Sequence, residues 1–113
     1  MVKRGEIWLV ALDPTVGSEI AKTRPTVVIS NDINNIHAAT VTIVPLTSKA
    51  AEEVYPFEVF LPKGEAGLPK DSKVKANQIR TIDKSRLIKC LGTLADSFVS
   101  AIEAAIKIHL NLP

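Results

Sequence analysis

The sequence predicts a mainly β protein, a small barrel of short strands with a short inserted helical turn and a C-terminal helix. Three observations support this fold class. Short runs rich in β-branched residues recur along the chain, turn-forming residues separate them, and one amphipathic helical pattern occupies the C-terminal end. Small barrels are assembled from strands of this kind. The length of 113 residues fits one domain, which we expect to span 1–113.

The first two predicted strands flank a polar loop. Gly5 to Leu12 has apolar residues at both parities, which indicates a strand that is buried on both faces or twists sharply. The turn signal Asp13-Pro14 ends it. After the loop, Thr26 to Ser30 predicts the second strand. Proline restrains the preceding residue to an extended backbone and is tolerated as the first residue of a strand, so Arg24 is expected where loop and strand meet.

The middle of the chain predicts a helical turn and a third strand. Asn31 to Ala38 interrupts the β pattern, and Asn31 or Asp32 is the expected N-cap of a helical turn. Thr40 to Val44 predicts a third strand that Pro45 cuts. That interruption would place Leu46, Thr47 and Ser48 on a bend at a sheet edge or bulge.

The last part of the chain predicts further strands and one helix. The sequence predicts strands over Phe57 to Leu61 and Ser72 to Gln78. It then predicts a turn over Thr81 to Ser85 and the last strand over Leu87 to Leu91. Lys73, Lys75 and Asn77 share the polar face of the second of these strands. Thr93-Leu-Ala-Asp96 resembles a capping box, and the helix after it carries an apolar stripe of Phe98, Ile102, Ile106 and Leu110.

Composition excludes several classes of protein. The 14 basic and 12 acidic residues give a net charge of +2, too small to identify a nucleic-acid-binding protein, so a basic groove would need local clustering. Cys90 is the only cysteine, which excludes an intrachain disulfide, and it reads as a small strand residue. Nothing resembles a signal peptide or a membrane-spanning segment, so we expect a cytoplasmic protein.

Few groups are available for catalysis. Only two histidines occur, His37 and His109, and both are expected at surface or interface positions. No cysteine–histidine cluster has the spacing of metal ligands, and no glycine-rich phosphate loop is present. An enzyme with this inventory is expected to use no metal, no cofactor and no protein nucleophile.

Several words of the sequence carry a resemblance to a known family. In this order and spacing they closely resemble the MazF/PemK family of toxin endoribonucleases, over nearly the whole chain. The resemblance implies an SH3-like barrel (CcdB/PemK-like), a symmetric homodimer, and an antitoxin partner whose disordered tail folds on binding. The words are Arg4-Gly-Glu-Ile-Trp-Leu-Val10, Asp13-Pro-Thr-Val-Gly-Ser-Glu19, Thr23-Arg-Pro-Thr-Val-Val-Ile-Ser30, Val44-Pro-Leu-Thr-Ser48, Tyr55-Pro-Phe57 and Gln78-Ile-Arg-Thr-Ile-Asp83.

RNA cleavage agrees with the chemical inventory, because the ribose 2′-hydroxyl supplies the nucleophile. The protein must align the attack, stabilise charge on the phosphorane oxygens and help to move protons. The resemblance implies that Arg24 and Thr47 are the catalytic pair. An arginine stays protonated and is a poor base, so Glu19, Thr47, a water molecule and the phosphate itself are all candidates for taking the 2′-hydroxyl proton.

The expected RNA-binding residues surround this pair, and some depart from the pattern of relatives. Some relatives have a histidine after the loop glycine and an Arg-x-Asp word before the glutamine, where this chain has Ser18, Lys75 and Asn77. These changes speak against an imidazole-based mechanism and against a carboxylate base at position 77. The residues expected to bind single-stranded RNA are Ser18, Glu19, Lys22, Ser48, Lys75, Asn77 and Gln78.

Two other functions remain open from the sequence. Toxins of the same fold family bind DNA gyrase without RNA chemistry, through a tryptophan-containing tip of the last helix. This chain ends Ile108-His-Leu-Asn-Leu-Pro113, without a tryptophan. The third reading is a plain nucleic-acid-binding barrel without catalysis.

Overall fold

The computed structural model describes residues 1–113, which form seven strands and two helices in a mainly antiparallel β arrangement. The prediction of a mainly β fold with an inserted helical turn and a C-terminal helix is confirmed. Short 3₁₀ turns occupy Glu65–Gly67, Ala76–Gln78 and Lys84–Arg86. The main elements are β1 (Glu6–Ala11), β2 (Thr23–Val28), α1 (Asp32–His37), β3 (Thr40–Thr47), β4 (Glu58–Leu61), β5 (Ser72–Lys75), β6 (Arg80–Asp83), β7 (Leu87–Thr93) and α2 (Asp96–Leu110).

The strands pair in the order β4-β5-β3-β2-β1-β7, with β6 also beside β3. Two apolar clusters fill the interior on opposite faces of the central strands. Ile7 of β1 belongs to the first cluster, which α2 covers through Val99 and Ile102. Val10, from the same strand, belongs to the second. The expectation that this strand is buried on both faces is therefore confirmed. Neither helix has the length and apolar character needed to cross a bilayer.

Strand β3 continues through Pro45, so the prediction that this proline ends the strand is wrong. Pro45 lies opposite Thr26 of β2, and the next residues, Leu46 and Thr47, pair with β5. Pro45 is the last residue of β3 that pairs with β2, and β5 pairs with the following residues on the opposite edge. The proline is tolerated because its missing N–H falls at the end of the ladder to β2.

Strand β2 begins earlier than predicted, at Thr23. Arg24 and Pro25 lie inside the strand, opposite Val10 and Leu9 of β1. Pro25 breaks no bond to β3, because β2 pairs with β3 only from Thr26 onward. Arg24 is thus held on a paired strand and does not precede it.

Two further predictions, of a strand and of the turn after it, were wrong in their boundaries. The strand predicted for Ser72 to Gln78 ends at Lys75 and passes into a 3₁₀ turn, and the turn predicted for Thr81 to Ser85 is largely strand β6. Ile82 of β6 is buried in the second apolar cluster, and the first half of β3 supplies the pairing partner. The turn signal acts later than expected, where Asp83 accepts a hydrogen bond from the backbone N–H of Ser85.

The sequence predicts the N-terminus of α1 correctly, but not the N-terminus of α2 or all of its buried side. Asn31 caps α1 as predicted, with its side chain accepting from the N–H of Asn34. The capping box predicted for α2 is absent, because Thr93 still belongs to β7 and the N-cap is Ala95. The buried side of α2 is Val99, Ile102 and Ala105, so the predicted stripe is wrong at its exposed end, Leu110.

A glycine contact between two backbone segments gives a testable stability prediction. A Cβ atom at Gly67 would lie 2.4 Å from the carbonyl oxygen of Leu91, and Gly67 has a φ of +77°. Gly67→Ala is therefore expected to lower the free energy of unfolding by roughly 1–3 kcal/mol, measured by urea denaturation. Gly64→Ala is the matched control: its φ is +94°, but nothing lies within 4 Å of the added Cβ. Equal losses for the two variants would show that backbone strain alone matters and that the contact does not.

Candidate active site

Arg24 and Thr47 lie on the paired strands β2 and β3. The register that pairs Thr26 with Pro45 would, if continued, place Arg24 opposite Thr47. The recorded β2–β3 ladder ends at Thr26 and Pro45, and Thr47 pairs on the opposite edge of β3 with Lys73 of β5. The two strands therefore diverge here, and both side chains line a cleft of about 580 Å³ and an adjoining recess of about 200 Å³.

The guanidinium of Arg24 is oriented but largely unused. Its Nε donates to the carbonyl oxygen of Ala21 at 3.1 Å, which is its only side-chain hydrogen bond. No ion pair engages it. The terminal nitrogens are thus free to meet a phosphate with two parallel donors, the geometry that a guanidinium offers to a phosphate oxygen pair.

The hydroxyl of Thr47 also has a free donor. Its Oγ1 accepts a hydrogen bond from the backbone N–H of Lys49 at 3.2 Å. That bond occupies a lone pair and leaves the hydroxyl hydrogen available. The side chain is half-buried, so it is positioned by its surroundings and still reaches the cleft.

The polar loop between β1 and β2 forms one wall of the cleft through Ser18 and Glu19. Gln78, in the 3₁₀ turn after β5, fastens this loop. Its Oε1 accepts from the N–H of Ile20 at 3.2 Å, and its Nε2 donates to the carbonyl oxygen of Ser18 at 3.4 Å. The amide of Gln78 is therefore engaged in holding the wall.

The other predicted RNA-binding residues divide between three connected recesses. Lys75 lines the main cleft, Ser48 the small recess, and Asn77 lies with Gln78 on a neighbouring recess of about 450 Å³ that also includes Ser18 and Glu19. Lys22 is exposed and lines none of these recesses. The structure thus gathers the predicted residues along one continuous surface, with Lys22 outside it.

A buried carboxylate contacts two of the lysines that line the cleft. Glu58 has a side chain only 1% exposed, and its oxygens lie 3.0 Å from Nζ of Lys73 and 3.5 Å from Nζ of Lys75. Nζ of Lys73 also donates to the carbonyl oxygen of Glu53 at 2.7 Å, which ties the β3–β4 loop to the sheet. The two lysine charges exceed the single carboxylate charge, so this cluster is net positive.

The surroundings of Glu58 lower the pKa of its carboxyl. Burial by itself raises this pKa, but the hydrogen bond from the N–H of Tyr55, the hydrogen bond and charge of Lys73, and the charge of Lys75 together outweigh burial. The ionised form is therefore favoured in the folded state, and the cluster remains charged at neutral pH.

This lowered pKa predicts how stability depends on pH. The unfolded carboxyl has an ordinary pKa near 4.5, so its contribution to stability is complete above that value and is lost as the pH falls through the lower pKa of the folded state. Glu58→Gln is expected to be less stable at neutral pH and to show a flatter decline in acid. Thermal unfolding between pH 7 and about pH 3 measures both effects. Exposed Glu52, which lies outside every hydrogen bond and ion pair of the side chains, provides the control Glu52→Gln, and an unchanged acid slope in Glu58→Gln would contradict the assignment.

Among the polar and aromatic residues that line the cleft, Lys49, Glu53 and Tyr55 were not predicted as site residues. Lys73 was predicted on the polar face of its strand, yet its side chain is buried against Glu58, a pairing between strands that periodicity does not encode. Tyr55 belongs to one of the words that carry the family resemblance, and this was the signal that could have identified it.

The remaining candidate groups lie elsewhere. His37 and His109 are exposed, as predicted, and neither lines the cleft. Cys90 is a half-buried residue of β7, where burial raises the pKa of its thiol. No three His, Cys, Asp or Glu side chains are grouped to hold a metal ion.

Comparison with known proteins identifies the family to which this fold belongs. The family model for PemK-like, MazF-like toxins of type II toxin-antitoxin systems matches residues 3–110. Endoribonuclease MazF9 of Mycobacterium tuberculosis is 44% identical over 117 residues, which cover 99% of this chain and 98% of the relative. The crystal structure of MazF from Deinococcus radiodurans superposes with a TM-score of 0.84 at 26% identity, over 98% and 97% of the two chains.

A mycobacterial endoribonuclease solved in complex with its cognate antitoxin gives a TM-score of 0.82 at 25% identity, over 100% of this chain and 98% of that one. These structures share the SH3-like barrel, so the predicted barrel type is confirmed. With a family model over nearly its whole length and a curated relative above 40% identity, the chain belongs to the PemK-like, MazF-like toxin family of type II toxin-antitoxin systems.

Proposed function

We propose that this protein is the toxin of a toxin–antitoxin pair and acts as an endoribonuclease on single-stranded RNA, mRNA included, at specific sequences and without a metal. One observation carries the proposal. Arg24 and Thr47, from neighbouring strands, present free donors to the same cleft, and neither a cysteine nor a histidine lines it. This arrangement stabilises a reacting phosphate whose attacking group belongs to the substrate.

The reaction is a transesterification followed by hydrolysis. The ribose 2′-oxygen attacks the adjacent phosphorus in line, the bond from phosphorus to the 5′-oxygen breaks, and the 5′-oxygen leaves with a proton as a free hydroxyl. Arg24 holds the phosphorane oxygens with two parallel N–H donors, and Thr47 adds a hydroxyl donor. Of the candidates for taking the 2′-hydroxyl proton, the protein groups Glu19 and Thr47 both line the cleft.

The charges around the cleft favour the binding of phosphates. Lys49, Lys73 and Lys75 line it together with Arg24, and Glu19 and Glu53 are the carboxylates on its surface. Phosphate contacts supply much of the affinity of a nucleic-acid-binding protein. The RNA-binding residues proposed for this surface are Ser18, Glu19, Ser48, Lys75, Asn77 and Gln78, with Lys22 at its outer margin.

We further propose that the toxin works in the cytoplasm as a homodimer whose RNA groove is formed by both subunits. A disordered antitoxin tail would fold on binding and inhibit it. Exposed apolar side chains at the end of α2 and just after it, namely Ile108, Leu110 and Leu112, support an interface of this kind. Static light scattering at micromolar concentration tests the dimer, and an active monomer would refute it.

Removal of the Thr47 hydroxyl is expected to slow catalysis without unfolding the protein. Thr47→Val keeps the shape of the side chain and removes its donor, and loss of one transition-state donor typically costs about 10²–10³-fold in rate. Single-turnover cleavage of a labelled RNA measures this loss. Thr42→Val, which removes the hydroxyl that meets Thr81 on the exposed side of β3, is the control. A Thr47→Val rate within a few-fold of the unmodified protein would make Thr47 structural.

The function itself is tested by incubating labelled RNA with the purified protein in EDTA. The expected products carry a 2′,3′-cyclic phosphate, or the 3′-phosphate formed by its opening, and a free 5′-hydroxyl. Fragments with a 5′-phosphate and a 3′-hydroxyl would indicate an activated water and overturn the mechanism. Binding of RNA without cleavage would favour a non-catalytic barrel, and inhibition of DNA gyrase without RNA binding would favour the gyrase-directed alternative.

A further inference from the structure

Tyr55 is placed on the rim of the cleft that holds Arg24 and Thr47. Its side chain is 63% exposed, whereas the other aromatic residues of the chain are at least half-buried. A large aromatic side chain in water beside Arg24 leaves much of its apolar surface uncovered by the protein. Aromatic side chains along a positively charged groove are surfaces on which bases of single-stranded nucleic acids stack.

The ring of Tyr55 is held in a fixed orientation. It lies parallel to the ring of Phe57 in an offset stack, with a centroid distance of 5.6 Å and an interplanar angle of 3°, and most of the residue remains exposed. The backbone N–H of Tyr55 donates to Oε1 of buried Glu58 at 3.0 Å. A flat ring that is fixed at its backbone and on one face presents a preorganised surface.

The same ion pair that holds Tyr55 also supports the loop around it. Glu58 bonds Lys73, and Nζ of Lys73 donates to the carbonyl oxygen of Glu53, two residues before Tyr55. The loop that carries the ring is therefore fastened at two points to β4 and β5. This position lies beside Lys49 and Lys75, whose charges favour a phosphate backbone.

We propose that Tyr55 is a stacking platform for one unpaired base of the RNA, next to the scissile phosphate held by Arg24. The proposal rests on the proposed function and names a subsite within it. A base stacks on an aromatic ring without regard to its identity, so Tyr55 would supply affinity and fix the path of the strand. Sequence selection would then come from neighbouring polar groups.

Binding is measured with an uncleavable RNA, so that affinity is separated from turnover. The probe is a single strand with the sequence that the protein cleaves, carrying a 2′-methoxy group at the nucleotide before the scissile bond. Tyr55→Leu is expected to weaken binding about 5- to 100-fold, the usual loss for one base–aromatic stack, and Tyr55→Phe to stay within about twofold. Val54→Ala, a change of an exposed apolar residue in the same loop that does not line the cleft, is the control.

A second measurement assigns the loss to stacking on one base. Abasic nucleotides are introduced one at a time into the probe, and binding is compared for the unmodified protein and Tyr55→Leu. At one position, the abasic nucleotide should weaken binding to the unmodified protein by a similar factor and have little further effect on Tyr55→Leu. Elsewhere the abasic nucleotide should act equally on both proteins. If the unmodified protein cleaves RNA but Tyr55→Leu binds the probe equally well, or if the two changes are additive at every position, only the stacking platform is overturned. If the unmodified protein does not cleave RNA at all, the proposed function is overturned and this subsite with it.

Discussion

Arg24→Ala is expected to abolish RNA cleavage and to leave the fold intact. The guanidinium makes one hydrogen bond within the protein, to the carbonyl oxygen of Ala21, so its removal costs little stability. In the proposed mechanism it offers two parallel donors and a positive charge to the phosphorane, and arginines in comparable roles contribute about 10³–10⁵-fold in phosphoryl-transfer enzymes. Single-turnover cleavage together with circular dichroism measures both outcomes.

The companion variant Arg24→Lys separates charge from geometry. A lysine keeps the positive charge and loses the planar fork of donors, so we expect most of the activity to be lost as well. Lys89→Ala, which removes one exposed charge from β7 outside the cleft, controls for the change in net charge. Normal turnover by a folded Arg24→Ala protein would remove Arg24 from the mechanism.

Substitution of the nucleophile in the substrate is expected to have an equally large effect. A 2′-deoxy nucleotide just before the scissile bond should give no detectable cleavage, because the attacking oxygen is absent. Binding should be largely preserved, since Arg24 and Lys75 still meet the phosphates and phosphate contacts supply much of the affinity. Gel-based cleavage and fluorescence anisotropy on the same oligonucleotide measure the two quantities.

The position of the substitution provides the control for this experiment. A deoxyribose one nucleotide further along the strand leaves the attacking oxygen in place and should be cut at nearly the normal rate. Continued cleavage next to the deoxyribose that lacks the nucleophile would mean that water attacks the phosphorus. Single strands should also be cut in preference to duplexes, because in-line attack needs a splayed backbone.

The strands were predictable where local pattern and tertiary pairing agree, and the errors occur where they conflict. The sequence around Pro45 predicts an interruption, but β3 continues, because Pro45 ends the ladder to β2 on one edge while β5 pairs with the next residues on the other edge. Pro25 lies inside β2 for a related reason, because the ladder to β3 begins one residue later. A sequence shows that a proline lacks a donor, and only the sheet shows whether that donor was needed.

The candidate site was predictable where its residues lie in recognisable sequence motifs, and not where contacts join separate strands. Arg24 and Thr47 were proposed from the sequence words around them, and the structure places them on one cleft. The link between Glu58 and Lys73 joins two strands, and the support that it gives to Tyr55 joins a strand to a loop. No periodicity along the chain records these contacts, so this part of the cleft became visible only in three dimensions.

The end of the β2–β3 ladder at Pro45 has a consequence for control of the enzyme. Arg24 is fixed by its pairing with β1, and Thr47 by its pairing with β5, so no backbone ladder joins the two residues directly. Their separation therefore depends on how β1 and β2, on one edge of β3, are angled relative to β4 and β5 on the other. We expect a ligand that changes this angle to separate the two proposed catalytic groups and so slow cleavage. Such a ligand would not need to compete with RNA for the groups proposed to bind the phosphate.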